Sequence, residues 1–513
     1  MTETSCDVLI LGAGTGGTAA ALALQGWGLR VILTEPTDWV GGQLTSQLVP
    51  PDEHPWIETC GRTLRYAEYR ERVRQWYRDH GDLTPAAARD KRLNPGSGWV
   101  SWICHRPDVG EKVLRTMLAP ALAEGLDLRL ETIPVAAQTV NDRVTAVTLR
   151  HIPSGQETLV TPRFVIDATE LGDGLALTGT EYALGAESRD ETGEPHALSG
   201  DHETDNVQGF TWCAVVGWDP EGDHTIERPR EYDFWRAYQP THWPDKLLSF
   251  TMHNAVKNEA VHFPLFSEGW FNLFSYRQIV DPRAHNGPTE AATCVNWPMN
   301  DFFEGSVIDV PEDVAEQRYE SARQLTLSLI YWLQTEHGYK GLRLRPDLAG
   351  TKDGLAKAAY IRESRRLVSR TPIREQDIAA YTNPGQSLGI RYPDSVGIGG
   401  YRLDLHPSAN GVGPIDTSTL PFQIPMGSLI PVRVRNLLAA CKNIGVTHLS
   451  NGSYRLHPVE WNIGEAAGLL AAYCLKQGLD PVSVHEDPAR VQDFQKLLFR
   501  EGIDIAWPEW RAL

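Results

Sequence analysis

Close cysteine pairs are missing from this chain. Its seven cysteines stand at 6, 60, 104, 213, 294, 441 and 474, and none forms a C-x-x-C. That excludes a redox dithiol and leaves no spacing suited to a Cys-rich zinc site or an iron–sulfur cluster. Each cysteine is expected as a single buried thiol, and no metal is expected. Long apolar runs are missing too: nothing approaches the roughly 18–20 residues of a membrane-spanning helix. A strand pattern starts almost at Met1, which leaves no room for a signal peptide. The cytoplasm is the expected location. Basic charge is in deficit, with 48 Lys and Arg against 66 Asp and Glu and a formal charge of −18. A nucleic-acid partner would favour a basic face, and an anionic membrane surface gains nothing from this balance. Neither partner is expected, and the acidity is read as solubility.

What is present begins with Cys6 to Glu35, CDVLILGAGTGGTAAALALQGWGLRVILTE. Asp7 to Leu11 is apolar enough for a strand buried on both faces of a parallel sheet. Gly12, Gly14 and Gly17 give G-x-G-x-x-G, with Thr15 and Gly16 between them. Thr18 to Gln25 reads as a helix, and Leu29 to Thr34 as a second strand that ends on Glu35 and Pro36. Strand, glycine turn, helix, strand and acid together form the dinucleotide-binding pattern in its required context. A glycine at 14 lets a diphosphate approach the backbone, and the helix N-terminus offers it free N–H groups. Glu35 suits ribose hydroxyls and repels a 2′-phosphate.

At 513 residues the chain is too long for one simple core and implies two joined domains. Gly41-Gly42-Gln43-Leu44-Thr45 lets the backbone pass close to a cofactor. Tyr66 to Tyr77 reads as an amphipathic helix, and residues 81–103 as a Pro/Gly-rich loop suited to a lid or pocket wall. A helix runs from Arg106 to about Glu124, followed by a strand at 126–130. A meander occupies 133–140, which includes Val135, then 143–150 and 157–161. Phe164 to Ala168 is a further buried strand, leading into Thr169-Glu170-Leu171-Gly172-Asp173, a turn where an α/β sheet can bind ligand. Residues 180–430 lose the βα alternation and hold most of the tryptophans, Trp212, Trp218, Trp235, Trp243, Trp270, Trp297 and Trp332 among them. They are read as core for the most part, around a helix at 311–336. TCVNWPMND at 293–301 and RESRR at 362–366 are the unusual clusters there. The arginines either hold an anion or form solvated ion pairs. Near the C-terminus, Arg435 to Ala440 is a short strand and Cys441 to Leu456 a Gly/Asn/Ser-rich link. HPVEWNIGEAAG from His457 to Gly468 then opens a helix to about Leu475.

GAGTGG with its acid, GGQLT, DATELGD and HPVEWNIGEAAG as a set resemble the FAD-dependent oxidoreductases of the glutathione-reductase superfold. The nearest pattern is the broad bacterial family of FAD-dependent oxidoreductases, some of whose members carry a xanthan-lyase label. VNWPMND and RESRRL resemble it too. The resemblance implies an α/β fold: a glutathione-reductase-type FAD-binding Rossmann domain with an inserted α+β substrate domain. On that basis 1–180 and 431–480 form the FAD-binding domain, 181–430 the substrate domain and 481–513 a helical tail. It also implies non-covalent FAD. Gly12, Gly14 and Gly17 would hold the diphosphate and Glu35 the adenosine ribose. Gly42, Gln43 and Thr45 would lie along the ribityl chain or flavin edge. Asp167, Ala168 and Thr169 would pass the adenine half, with Asn462 and Ile463 facing the flavin pyrimidine. Gly397-Ile398-Gly399-Gly400 lacks the spacing and strand of a second nucleotide turn, so no NAD(P)H domain is expected.

The activity expected is hydride removal from a small alcohol, amine or sugar-like substrate, with FAD carrying the chemistry. His457 is the expected base, the alternative being a helix cap. Arg455 would steady an anionic group, and His448 is a weaker candidate base. Two further readings stay open: reduction of a C=C bond with Arg362 and Arg365 binding substrate, and a protein that only binds FAD. A polysaccharide lyase leaves the FAD pattern unexplained. Oligomeric state is open, a homodimer being one arrangement.

Overall fold

The computed structural model describes residues 2–256, 259–269 and 271–508. Its largest sheet has the order β3-β2-β1-β6-β5-β4. The strands are β1 (Thr2–Leu11), β2 (Val31–Thr34), β3 (Asp127–Arg129), β4 (Thr132–Val140), β5 (Arg143–His151) and β6 (Glu157–Asp167). β1 runs parallel to β2 and β6, and β2 parallel to β3. β5 and β4 add an antiparallel edge. From the far end of the chain, Leu437–Ala439 also pairs parallel with β6. The molecule is thus an α/β fold with a mixed sheet and flanking helices.

The sequence suggested two strands at 157–161 and 164–168, and the structure has one. β6 pairs with β5 up to Val160 and with Leu437–Ala439 from Val165 onward. Pro162, which has no N–H to donate, falls in the gap between those partners, so the strand passes through it. Helix α1 (Thr15–Ala23) starts earlier than the apolar pattern suggested, directly after Gly14. Gly12 turns the chain with φ +87°, and a Cβ there would lie 2.6 Å from the Ala168 carbonyl oxygen. Only glycine meets both demands. Of the remaining helices, α2 is Leu64–His80, α3 Pro85–Arg89 and α4 Pro107–Ala123. α3 lies in the stretch read as loop.

Helix His457–Gln477 packs lengthwise on α1. Gly464 and Gly468 make this possible: a Cβ on them would lie 2.0 Å from the Gly16 oxygen and 2.7 Å from the Ala20 oxygen. The segment read as a link contains a short helix, His448–Tyr454. Thr447 and Ser450 bond each other's backbone N–H with their hydroxyls there, a cap that outweighs poor helix formers such as Asn451 and Gly452.

A second sheet holds strands Gln278–Val280, Ala291–Val295, Ala214–Trp218 and Leu342–Leu344, in that spatial order and antiparallel. Helix Glu312–Thr335 shares its core through Leu325, Leu329, Ile330 and Leu333. Trp235, Trp243, Trp297 and Trp332 are buried in this core, with Trp212 and Trp218 at its margin. Trp270 lies outside the described residues. The core draws on residues 207–361, whereas Leu367, Ile373, Val396, Phe422, Ile424 and Ile430 join the core built by the two chain ends, and Leu403 and Leu405 pack apart from both with Ala197 and Leu449. Helices Pro481–His485 and Pro488–Arg500 close the C-terminal side.

Candidate active site

A cavity of about 370 Å³ opens where β1, β2 and β6 end. Gly12, Gly14, Glu35, Pro36, Gly42, Ala168 and Thr169 line it, with Trp212 and Tyr319 of the second core on the opposite wall. Parallel strands end together here because each is followed by a turn back over the sheet, which leaves a crevice at their C-terminal edge.

Glu35 is buried. Its Oε2 accepts from the Ala13 amide at 3.1 Å, and Oε1 accepts from the amide and hydroxyl of Thr37 at 3.1 and 2.8 Å. Burial lifts its carboxyl to about 8, against the pull of the Thr37 and Ala13 donors. Asp167, at the end of β6, accepts from Thr169 and from the Leu175 amide, which pins the turn that carries Ala168 and Thr169. Pro134 also lines the cavity, and Val135 is the next residue along β4, half-buried.

Other expected residues brace the cavity from behind. Thr15 donates its hydroxyl to the Gly41 carbonyl at 3.1 Å, and Thr45 donates to Val40. Gly16 and Gly17 meet neighbouring backbone: a Cβ would lie 1.9 Å from the Ala440 oxygen or 1.8 Å from the Gly12 oxygen. Gln43 Nε2 donates to the Arg455 carbonyl and to Glu460 Oε2. Asn462 accepts from the Ile398 amide and donates to the Val396 carbonyl, so it fastens the last helix to strand Ser395–Gly399. Ile463 is buried.

The residues fit a dinucleotide. The first turn of α1 has no side-chain cap and ends at the cavity glycines. Gly14 and Gly42 approach so closely that a Cβ on Gly42 would lie 2.8 Å from Gly14 Cα. Buried oxygens of Gln47, Glu170, Gln43 and Glu460 at or beside the wall make no hydrogen bond. A family model described as FAD dependent oxidoreductase matches residues 7–498. The chain belongs to the FAD-dependent oxidoreductase family. It therefore uses FAD, held non-covalently, and is an enzyme of that general chemistry.

No curated protein matches the chain. Among solved structures it is similar to a geranylgeranyl bacteriochlorophyll reductase-like protein from Thermoplasma acidophilum, at 12% identity and TM-score 0.35 over 98% of this chain and 85% of that one. It is similar to the OxyS anhydrotetracycline hydroxylase of Streptomyces rimosus at 13% identity and TM-score 0.34, over 97% and 68%. A flavoprotein/dehydrogenase from Cytophaga hutchinsonii gives 19% identity and TM-score 0.24, over 45% and 49%. These likenesses are too distant to bear on the substrate. Among the described residues of this FAD-dependent oxidoreductase, no helix is long and apolar enough to cross a membrane.

A buried polar cluster stands at the start of helix His457–Gln477. Arg455 donates to the Tyr360 hydroxyl at 2.8 Å and to Asp404 Oδ2 at 3.2 Å. Arg277 reaches Asp52 Oδ2 only at 3.4 and 3.5 Å. The Asp52 amide donates to His457 Nδ1 at 3.0 Å. That bond assigns the imidazole proton to Nε2, on a ring that also meets the Val49 backbone. Burial, then the charge of Arg277, holds the His457 pKa well below its usual value, so the ring is neutral. His457 is not the helix cap, because Leu456 occupies that position. Burial raises Asp52 above the usual carboxylate range, while Arg277 and Arg455 oppose the rise.

The remaining expected residues go elsewhere. His448 Nδ1 lies 3.0 Å from both carboxylate oxygens of Glu363. Arg362 donates to Asp301 at 2.9 Å, and Arg365 to Asp309 and Asp173 at 2.8 and 3.0 Å. The arginines of RESRR are buried rather than solvated. Asp52, Arg277, Tyr360 and Asp404 escaped sequence reasoning because they lie far apart along the chain in no shared motif. The adjacent acids Asp52 and Glu53 in the irregular 46–54 stretch were the one available signal.

Proposed function

We propose that this FAD-dependent oxidoreductase oxidises a small hydroxylated substrate that carries a negative charge. FAD, when bound, supplies the two-electron acceptor that takes the hydride. The reading includes the glutathione-reductase-type arrangement, with residues 1–180 and 431–480 holding the cofactor. In it Gly12 and Gly14 face the diphosphate, Glu35 the ribose and Gly42 the flavin half, with Gly17, Gln43, Thr45, Asn462 and Ile463 supporting them from behind.

One observation carries the substrate class: Arg277 Nε and Arg455 Nε are buried donors with no acceptor. Unpaired buried donors are costly and favour a ligand rich in acceptor oxygens. An amine substrate would add donors to a site that already has a surplus. Arg277 and Arg455 hold the anionic group. His457 Nε2–H donates to the substrate oxygen and orients it, a role its fixed tautomer allows; acting as base would require losing the Asp52 amide bond. Asp52, raised by burial, takes the hydroxyl proton as the carbon gives up hydride. Reduction of a C=C bond by Arg362 and Arg365 gains no support, since both guanidinium groups sit on internal carboxylates.

The test is anaerobic mixing of the yellow protein with small hydroxy acids, the matching neutral alcohols, and amines, following loss of the flavin band. Hydroxy acids should bleach it fastest. Asp52→Asn should slow bleaching about 100-fold or more and His457→Gln about tenfold, with FAD content unchanged. Equal bleaching by amines or neutral alcohols, or by none of the donors, overturns the reading.

A further inference from the structure

Lys442 follows strand Leu437–Ala439 in a run, Ala440-Cys441-Lys442-Asn443, with no other charge. Its side chain is 1% exposed. The ammonium is paired with Glu170 and lies 3.5 Å from Glu460 Oε2. Glu170 follows β6, and Glu460 belongs to the first turn of helix His457–Gln477. Three segments that close the dinucleotide crevice therefore each send one charge to a single point.

Two observations tie this point to a ligand. Glu170 lines the cavity, and its Oε1 is buried without a hydrogen bond. That oxygen lies against the glycine turn, 2.7 Å from where a Cβ on Gly14 would be and 2.9 Å from one on Gly42. Glu460 is wholly buried, and its Oε1 likewise has no partner. Its other oxygen accepts from Gln43 at 3.0 Å, and the Gly16 amide in the first turn of α1 stabilises the carboxylate. A carboxylate at a helix N-terminus uses the same N–H groups and dipole that a phosphate would use.

We propose that Lys442 is the cation of the FAD diphosphate site, and that Glu170 stands in for the phosphate until the dinucleotide enters and takes Lys442 from it. Glu460 stays behind Lys442, tied to Gln43, and keeps the ammonium aimed at the glycines. Burial lifts Glu460 to about 7 against the pull of Lys442, and the Glu170 charge adds to the rise, so a second anion arriving here meets a carboxyl able to hold a proton. Without Lys442 the diphosphate would face two carboxylates with no compensating charge.

The test reads FAD binding and uses no substrate, so it stands or falls independently of the oxidation proposed above. FAD release from the full-length holoprotein is followed as the rise of flavin fluorescence after dilution, at low and high salt. Lys442→Gln should release FAD about 30-fold faster or more and flatten the salt dependence. Glu170→Gln removes the competitor and should slow release by about threefold or more. The double variant leaves the local charge sum unchanged and guards against misfolding of the single lysine variant. It should release FAD at least about tenfold faster than Glu170→Gln alone. Faster release from Glu170→Gln than from the unaltered protein overturns the stand-in role. A double variant that holds FAD as firmly as Glu170→Gln overturns the role of Lys442.

Discussion

Glu35 shows how one side chain can serve a ligand and burden the fold at the same time. It was legible in the sequence because an acid closing the second strand of a G-x-G-x-x-G unit has a positional meaning. Its protonation was not legible, because that depends on complete burial. With its carboxyl lifted from 4.5 to about 8, native Glu35 keeps a proton over a range in which the unfolded chain has lost it. Stability without FAD should therefore fall as pH rises from about 4.5 to about 8, by on the order of 5 kcal/mol. Glu35→Gln should remove that slope, measured by urea denaturation of the FAD-free protein across this range. A Glu35→Gln protein with the same pH slope as the original would show that Glu35 does not cause it. His448 makes the complementary point: its chemistry suggested a base, and only the folded chain reveals that Glu363 holds it.

At the scale of elements, legibility followed periodicity and punctuation. The buried strands, the helix entered through His457-Pro458 and the long helix near 311–336 all announced themselves by apolar pattern or Pro placement. The short helix His448–Tyr454 did not, since its stability comes from a Thr447–Ser450 cap and tertiary burial rather than from propensity. The contact between α1 and helix His457–Gln477 was hinted at by small residues in both. The decisive position is Gly464, where a Cβ would lie 2.0 Å from the Gly16 oxygen. Gly464→Ala must push the two helices apart at the end of α1 that adjoins the cavity. We expect a loss of about 2–3 kcal/mol and a clear fall in FAD retained through gel filtration. Gly478→Ala is the control, since a Cβ there meets nothing within 4 Å and only the positive φ of 68° is strained. That should cost about 1 kcal/mol and leave FAD content alone.

Across the whole molecule, the two cores meet through buried charge as well as apolar contact. Arg362 bonds the Gly209 carbonyl, Thr211, Asn296 and Asp301, all within the second core's segments, while Arg366, four residues on, bonds Glu187, Glu363 and the Val446 carbonyl. RESRR is thus the strap by which the chain passes from one core to the other. No local pattern distinguishes that role from an anion site or an exposed ion-pair face, because all three need the same residues and differ only in what surrounds them. Burial by itself would raise Asp301, yet Arg362, and after it His406, outweigh burial and hold it below the usual range. Removing the guanidinium strands a carboxylate that His406 and Thr211 only partly satisfy, a situation that costs about 3–5 kcal/mol in buried pairs. Arg362→Met should therefore lower the denaturation midpoint near neutral pH by an amount of that order. Below about pH 4 Asp301 can protonate in the variant, and the gap to the unaltered protein should narrow. A gap that stays constant with pH would assign the loss to packing of the arginine stem, and the charge strap would then not be what joins the two cores.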